Sequence, residues 1–126
     1  MEVNRLRKIQ DNLLIYNKPS TYLEEIKPSL KNTPLEPLIN LEKVEQNKKY
    51  HPEGNVWNHL KQVVDIAAKV KEYANDKGTF MLGALLHDLG KGTTTKKNKQ
   101  GRIISYNHDI EGEKIVEKIL TYYGYE

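Results

Sequence analysis

The stretch Leu85-Leu86-His87-Asp88-Leu89-Gly90-Lys91 closes an almost wholly apolar run, Phe80-Met81-Leu82-Gly83-Ala84-Leu85-Leu86. A run of this length is too short to span a membrane and reads as a buried helix. Thr79 is placed to cap its start and Gly90 its end, so a central helix is expected over Thr79–Leu89. An imidazole and a carboxylate then sit side by side in the last turn of a core helix. Both are costly to bury unless something pairs them. The partial negative charge at a helix C-terminus favours a cation there. Neutral imidazole with carboxylate is a good ligand set for a first-row divalent metal. The other account of the pair is an internal His–Asp hydrogen bond that only fixes the helix end.

Moving outward toward the N-terminus, His51-Pro52-Glu53-Gly54-Asn55-Val56-Trp57-Asn58-His59 changes the character of the chain. Pro52 and Gly54 hold an irregular turn, and Asn55 is a natural helix cap. A long amphipathic helix is expected from there to about Ala74, with Val56, Leu60, Val63, Val64, Ala67, Val70 and Ala74 on its apolar stripe. His59 lies one turn from both Val56 and Val63 and points toward the buried side. A lone inward histidine is ordinarily a satisfied core residue. A second one near His87 and Asp88 is harder to attribute to packing. Asn75-Asp76-Lys77-Gly78 turns the chain back, which implies that the two helices run antiparallel.

Beyond Lys91 the chain is polar and basic, with Lys96, Lys97, Lys99 and Arg102 between Gly92 and Gly101 as hinges. This flexible loop reads either as a solvated surface or as a phosphate-attracting rim of the site. Ile103, Ile104 and Tyr106 suggest a short extended segment. Asn107-His108-Asp109 opens a last helix whose stripe is Ile115, Val116, Ile119, Leu120 and Tyr123. His108 at its start is either an exposed histidine of the capping region or a site residue. The aromatic tail Tyr122-Tyr123-Gly124-Tyr125 is available to dock on a partner, so a homodimer is one expected assembly.

The front third shows helical spacing without visible chemistry. Leu6, Ile9, Leu13 and Tyr16 mark a helix over Val3–Tyr16, with Arg5, Arg7 and Lys8 on a solvated face. Ser20 is expected to cap a second helix to Ile26, limited by Pro28. Thr33-Pro34-Leu35-Glu36 has a capping-box pattern with Pro34 at the first helical position. Glu42 to Tyr50 reads as a connecting loop. The 126 residues suffice for one core. There is no cysteine, which excludes disulfides and thiolate metal sites. No stretch reads as a membrane span or signal peptide, so a cytoplasmic protein without a membrane partner is expected. A net charge of +3 tolerates a phosphate-bearing partner without marking a nucleic-acid binder.

His59 followed by His87-Asp88 in all-helical surroundings resembles the HD-domain metal-dependent phosphohydrolases. The nearer likeness is to the HD domain of bacterial tRNA nucleotidyltransferases, the CCA-adding enzymes. It rests on three phrases in order: His51 to His59, Leu85 to Gly92, and His108-Asp109-Ile110-Glu111-Gly112. The likeness runs from about Leu35 to Leu120. It implies an all-α fold, an HD-domain bundle of about five to seven helices. Residues 35–126 would be the HD domain, shortened at the C-terminus, and 1–34 a helical extension.

The resemblance also implies a site. One divalent ion of the Mg, Mn, Ni, Fe or Zn class would be held by His59, His87 and Asp88. Lys91 would lie near substrate phosphate, and His108 would be a further site histidine. The family's distal Asp has no match, because the carboxylates after Asp109 are Glu111, Glu113, Glu117 and Glu126. A stand-alone HD domain with an open metal position is therefore expected. Its activity would be hydrolysis of nucleotide-like phosphomonoesters or cyclic phosphodiesters. Asp88, Lys91 and His108 would do the catalytic work. The alternative is a degenerate module that binds a nucleotide or an RNA end without hydrolysis.

Overall fold

Leu6, Ile9 and Leu13 recur at helical spacing, and α1 (Arg5–Ile15) buries all three. The computed structural model describes residues 4–46, 49, 52–91, 95–97, 103–105 and 108–125. Among these, five further helices follow: α2 (Pro19–Ile26), α3 (Glu36–Asn40), α4 (Val56–Val70), α5 (Lys77–Leu86) and α6 (His108–Tyr122). Short 3₁₀ turns extend α2, α3 and α4. The fold is the expected all-α bundle. One hydrophobic cluster joins Leu6, Ile9 and Leu13 of α1 to Trp57, Leu60 and Val64 of α4 and to Met81 and Leu85 of α5. Among the described residues, no helix is long and apolar enough to cross a membrane.

The start of α4 lies beside the end of α5, since His59 and His87 have ring centroids 6.2 Å apart. The other ends are joined by the short segment 71–76, so the two helices run antiparallel, as the turn implies. Asn55 caps α4 by accepting the Asn58 N–H at 2.8 Å.

Other local expectations are corrected. α5 starts at Lys77 and is capped by Asp76, which accepts the Thr79 N–H at 3.0 Å; Thr79 is not the cap. A carboxylate is the stronger acceptor at a helix N-terminus. α5 stops at Leu86, and Gly90 ends no left-handed cap, because the positive-φ glycines among the described residues are Gly54 and Gly124. Nor is α5 buried all round. Phe80, Gly83 and His87, spaced i, i+3 and i+7, form an exposed stripe opposite Met81, Leu82, Leu85 and Leu86. α4 ends at Val70, which is 42% exposed, and tightens into a 3₁₀ turn over Lys71–Tyr73.

Ser20 is not a cap either, because Pro19 already starts α2. Its N–H and hydroxyl instead donate to the Asp65 carboxylate of α4, at 2.9 and 2.6 Å. A tertiary contact thus supplies the missing cap. The capping box is displaced too: Thr33 Oγ1 accepts the Leu35 N–H at 3.1 Å and Glu36 accepts the Asn32 N–H at 2.6 Å. α3 accordingly begins at Glu36 rather than Pro34.

Within the basic segment, β1 (Thr95–Lys97) and β2 (Ile103–Ser105) pair antiparallel, with Lys96 opposite Ile104. The expected loop is thus partly a two-stranded ribbon, as suits its β-branched Thr95, Ile103 and Ile104. Gly92, Gly101, Tyr106, Lys99 and Arg102 lie outside the described residues. The aromatic tail folds back on its own chain: the Tyr125 hydroxyl donates to Gln10 at 2.7 Å, and Asn4 donates to the Tyr123 carbonyl at 2.6 Å.

Candidate metal centre

Asp88 sits in the turn that follows α5 and is 8% exposed. The apolar residues around it, Leu85, Leu86 and Leu89, anchor that turn in the core. Burial pushes the Asp88 carboxyl up, but the His87 hydrogen bond and the charges of His87, Lys91 and His59 outweigh it and hold it at about 2. The carboxylate is therefore an anion throughout the physiological range.

His87 Nδ1 lies 2.8 Å from the Ala84 carbonyl, and its Nε2 lies 3.0 Å from Asp88 Oδ2. The carbonyl can only accept, so Nδ1 carries a proton and donates. Nε2 is then the nitrogen that can take either a second proton or a metal ion. The hydrogen bond to Asp88 raises the His87 pKa, burial opposes it, and the Ala84 carbonyl adds to the rise.

His59 repeats the arrangement from α4. Its Nδ1 lies 3.0 Å from Glu53 Oε1 and its Nε2 lies 3.7 Å from Asp88 Oδ2. A carboxylate on the far nitrogen of a histidine fixes the tautomer and orients the other nitrogen for metal. One ligand atom from each of His59, His87 and Asp88 falls within 4.8 Å of the others. Bonds of about 2.0–2.2 Å place neighbouring tetrahedral ligands roughly 3.5 Å apart, so small side-chain rotations close the group on one ion. Two imidazole nitrogens and a carboxylate are also a suitable donor set for a first-row divalent metal. The residues fit the group.

Lys91 lies beside the group. Its Nζ is 3.6 Å from Asp88 Oδ2 and 3.0 Å from Gln46 Oε1. His108 is the first residue of α6, but its side chain lies outside the described part of the structure. The start of α6 is held close to the site turn, because a Cβ built on Gly112 would meet the Gly90 nitrogen at 3.2 Å. A side chain there would push the helix away from Gly90.

Two participating residues escape the sequence reading. Glu53 sits six positions before His59 in an irregular turn, so helical spacing does not link them. Gln46 lies in the polar run taken for a connector. The hint in the sequence is that Glu53 belongs to the His51–His59 phrase and Gln46 lies five residues before it.

The family model for the HD domain matches residues 56–125, more than half of the chain. The chain belongs to the HD-domain family. Members are metal-dependent phosphohydrolases that bind divalent metals, and His59, His87 and Asp88 form a group able to hold one. The multifunctional CCA proteins of Cupriavidus metallidurans and Herminiimonas arsenicoxydans are each 36% identical to the chain over 76 residues, covering 60% of it. That of Actinobacillus pleuropneumoniae is 32% identical over 71 residues, or 56% of the chain. The matched region spans only 17% of the first two relatives and 16% of the third. No solved structure gives a significant match to the HD-domain chain.

Proposed function

We propose that this HD domain hydrolyses nucleotide-like phosphomonoesters or cyclic phosphodiesters, with one divalent ion on His59, His87 and Asp88. The observation that carries the reading is the convergence of three ligand atoms within 4.8 Å, with both imidazoles pinned at Nδ1. A bound divalent ion supplies Lewis acidity and lowers the pKa of water. The protein's own groups do the rest. Glu53 and the Ala84 carbonyl keep the two Nε2 atoms turned toward Asp88. Asp88 contributes the one anionic ligand and keeps the Lys91 ammonium beside the site. Lys91 neutralises charge on the non-bridging phosphoryl oxygens. His108 orients the phosphate or protonates the leaving oxygen.

A groove of about 680 Å³ between α5 and α6 includes His87 in its lining. Leu82, Leu86, Val116, Leu120 and Tyr125 make it mainly apolar. We assign it to the non-phosphate part of the ester. Lys96, Lys97 and Lys99 add a salt-screened attraction for anions. The catalytic unit is taken as residues 35–126, with 1–34 as a helical extension packed on it.

The test is elemental analysis of protein purified without chelator or metal-affinity tag, followed by turnover of p-nitrophenyl phosphate, 5′-AMP and a cyclic nucleotide. Bound metal, turnover that needs added divalent ion, and its loss in His59→Ala are expected. No metal uptake at any concentration overturns the proposal. Metal uptake without turnover of any ester assigns the chain to nucleotide or RNA-end binding instead.

A further inference from the structure

Gln46 is 5% exposed, yet its side-chain nitrogen Nε2 has no hydrogen-bond partner among the described residues. The backbone around it is firmly held. Glu45 bridges Asn55, the Gln46 N–H donates to the Gly54 carbonyl at 2.9 Å, and the Val56 N–H donates to the Val44 carbonyl at 2.9 Å. Gln46 is thereby fixed against the turn that carries Glu53 and leads into the His59 helix. Loose packing is therefore not what leaves the nitrogen unpaired.

The orientation of the amide follows from its neighbour. Lys91 Nζ lies 3.0 Å from Gln46 Oε1, and an ammonium can only donate. The oxygen must face Lys91, and flipping the amide would set donor against donor. Nε2 is therefore the atom left over. Covalent geometry separates the two amide atoms by roughly 2.2 Å, so Nε2 lies within about 5 Å of Nζ. Nζ is itself 3.6 Å from Asp88 Oδ2. A buried donor without an acceptor is destabilising and uncommon, and a bound water or ligand is what can satisfy it.

Two donors stand side by side here, an ammonium and an amide, at the edge of the candidate metal centre. A phosphoryl group presents several anionic oxygens and satisfies both at once. We propose that Gln46 is a phosphate-recognising residue that acts with Lys91. Its Oε1 sets the position of the ammonium, and its Nε2–H donates to a second phosphoryl oxygen. The nitrogen is closed to solvent, so engaging the phosphate requires the Lys91–Gln46 pair to shift toward the anion together. The proposal rests on the phosphohydrolase reading, because it takes the phosphate to lie beside Asp88.

The test uses the full chain loaded with one equivalent of Zn²⁺, with inorganic phosphate as the probe. The side-chain amide signals of Gln46, assigned by their absence in Gln46→Met, should shift saturably as phosphate is added to the wild type. Gln46→Glu keeps an oxygen for Lys91 but removes the donor and adds a charge, and Gln46→Met removes the donor without one; phosphate affinity should fall on the order of tenfold or more in both, the scale of a hydrogen bond to a charged group. Zinc affinity of the uncharged Gln46→Met variant by calorimetry should stay within about twofold. Amide signals that stay still while phosphate binds elsewhere on the protein would overturn the role of Gln46. So would a Gln46→Glu variant with unchanged phosphate affinity, and either result leaves the phosphohydrolase reading intact. A wild-type protein that takes up neither zinc nor phosphate defeats both. The wild-type amide measurement needs no variant and stands even if Gln46→Met or Gln46→Glu folds poorly.

Discussion

Replacing Asp88 by Asn keeps the shape of the side chain and removes the one anionic ligand of the group. Its consequences for the metal-free protein can be worked from the ionisation of Asp88. The carboxyl lies at about 2 instead of its ordinary 3.8. At about 1.4 kcal/mol per pKa unit this is roughly 2.4 kcal/mol, which water around the exposed His87 cuts to about 1 kcal/mol. The folded pKa is depressed, so this stability is present above pH 3.8 and is lost as pH falls toward 2. For a domain of this size the loss lowers Tm by about 4 °C at neutral pH. The larger effect appears with metal. At a metal concentration of 100 Kd the wild type gains about 2.7 kcal/mol, or roughly 10 °C. Loss of even an outer partner weakens metal sites ten- to a hundredfold, so loss of a charged ligand should weaken this one by on the order of a hundredfold. The same metal concentration then equals the variant's Kd and stabilises it by only about 0.4 kcal/mol, under about 2 °C. Thermal unfolding of both proteins, in chelator and with graded Zn²⁺ or Mn²⁺, reads all of these quantities. If Asp88→Asn shows the wild-type metal shift, Asp88 is not a ligand and the reasoning fails.

Three further outcomes are expected. His87 has a raised pKa, so in chelator its contribution to stability is complete below its ordinary 6.5 and fades as pH rises through the folded value; the Tm gap between wild type and His87→Ala should narrow from pH 6 to pH 9, and metal affinity in the wild type should rise over the same range. Lys91→Ala should lower phosphate-ester turnover by about a hundredfold, the scale of losing one charge-stabilising donor, while zinc stoichiometry by elemental analysis stays at the wild-type value. Gly112→Val should destabilise by about 1–3 kcal/mol through overpacking against the Gly90 backbone, seen as a lower urea midpoint, whereas Gly83→Ala, whose Cβ meets nothing within 4 Å, should leave the midpoint level or raised.

The bundle was legible where burial is periodic. Leu6, Ile9 and Leu13, then Val56, Leu60 and Val64, announce their helices because one face of each enters the core. Caps were legible only when a single good candidate was present, as with Asn55. Where Thr79 was expected to cap α5, the Asp76 carboxylate three residues earlier is the cap. Where the partner came from another helix, as Asp65 does for Ser20, local spacing carries no signal. The same limit governs the site. That His59 turns inward was legible from helical facing, while the set His59, His87 and Asp88 came from the resemblance to the HD family, and the structure brings the three together. The uniform apolarity of Phe80 to Leu86 nevertheless hid the exposed stripe on which His87 lies. Glu53 and Gln46 act through irregular backbone, where no period relates their positions to those of their partners.

Those two missed residues give the site its polarity. On one side the Nδ1 atoms of His59 and His87 lie against Glu53 and the Ala84 carbonyl, so both Nε2 atoms face Asp88. On the other side Lys91 and Gln46 offer only protons: Gln46 has spent its acceptor on Lys91, and its nitrogen remains. Asp88 lies between, within 3.0 Å of His87 and 3.6 Å of Lys91. On the proposed reading, the first side takes the cation and the second the anion. A phosphate ester together with a divalent ion is the ligand that the proposal places there. The cation half is built on α4, α5 and the turn that follows, within the matched HD region. The anion half depends on Gln46, which lies before that region and is held by its pairing with the Gly54–Asn55 turn. On the proposal for Gln46, the segment over Val44–Gln46, which has no helical period and buries Val44 in the core, belongs with the site.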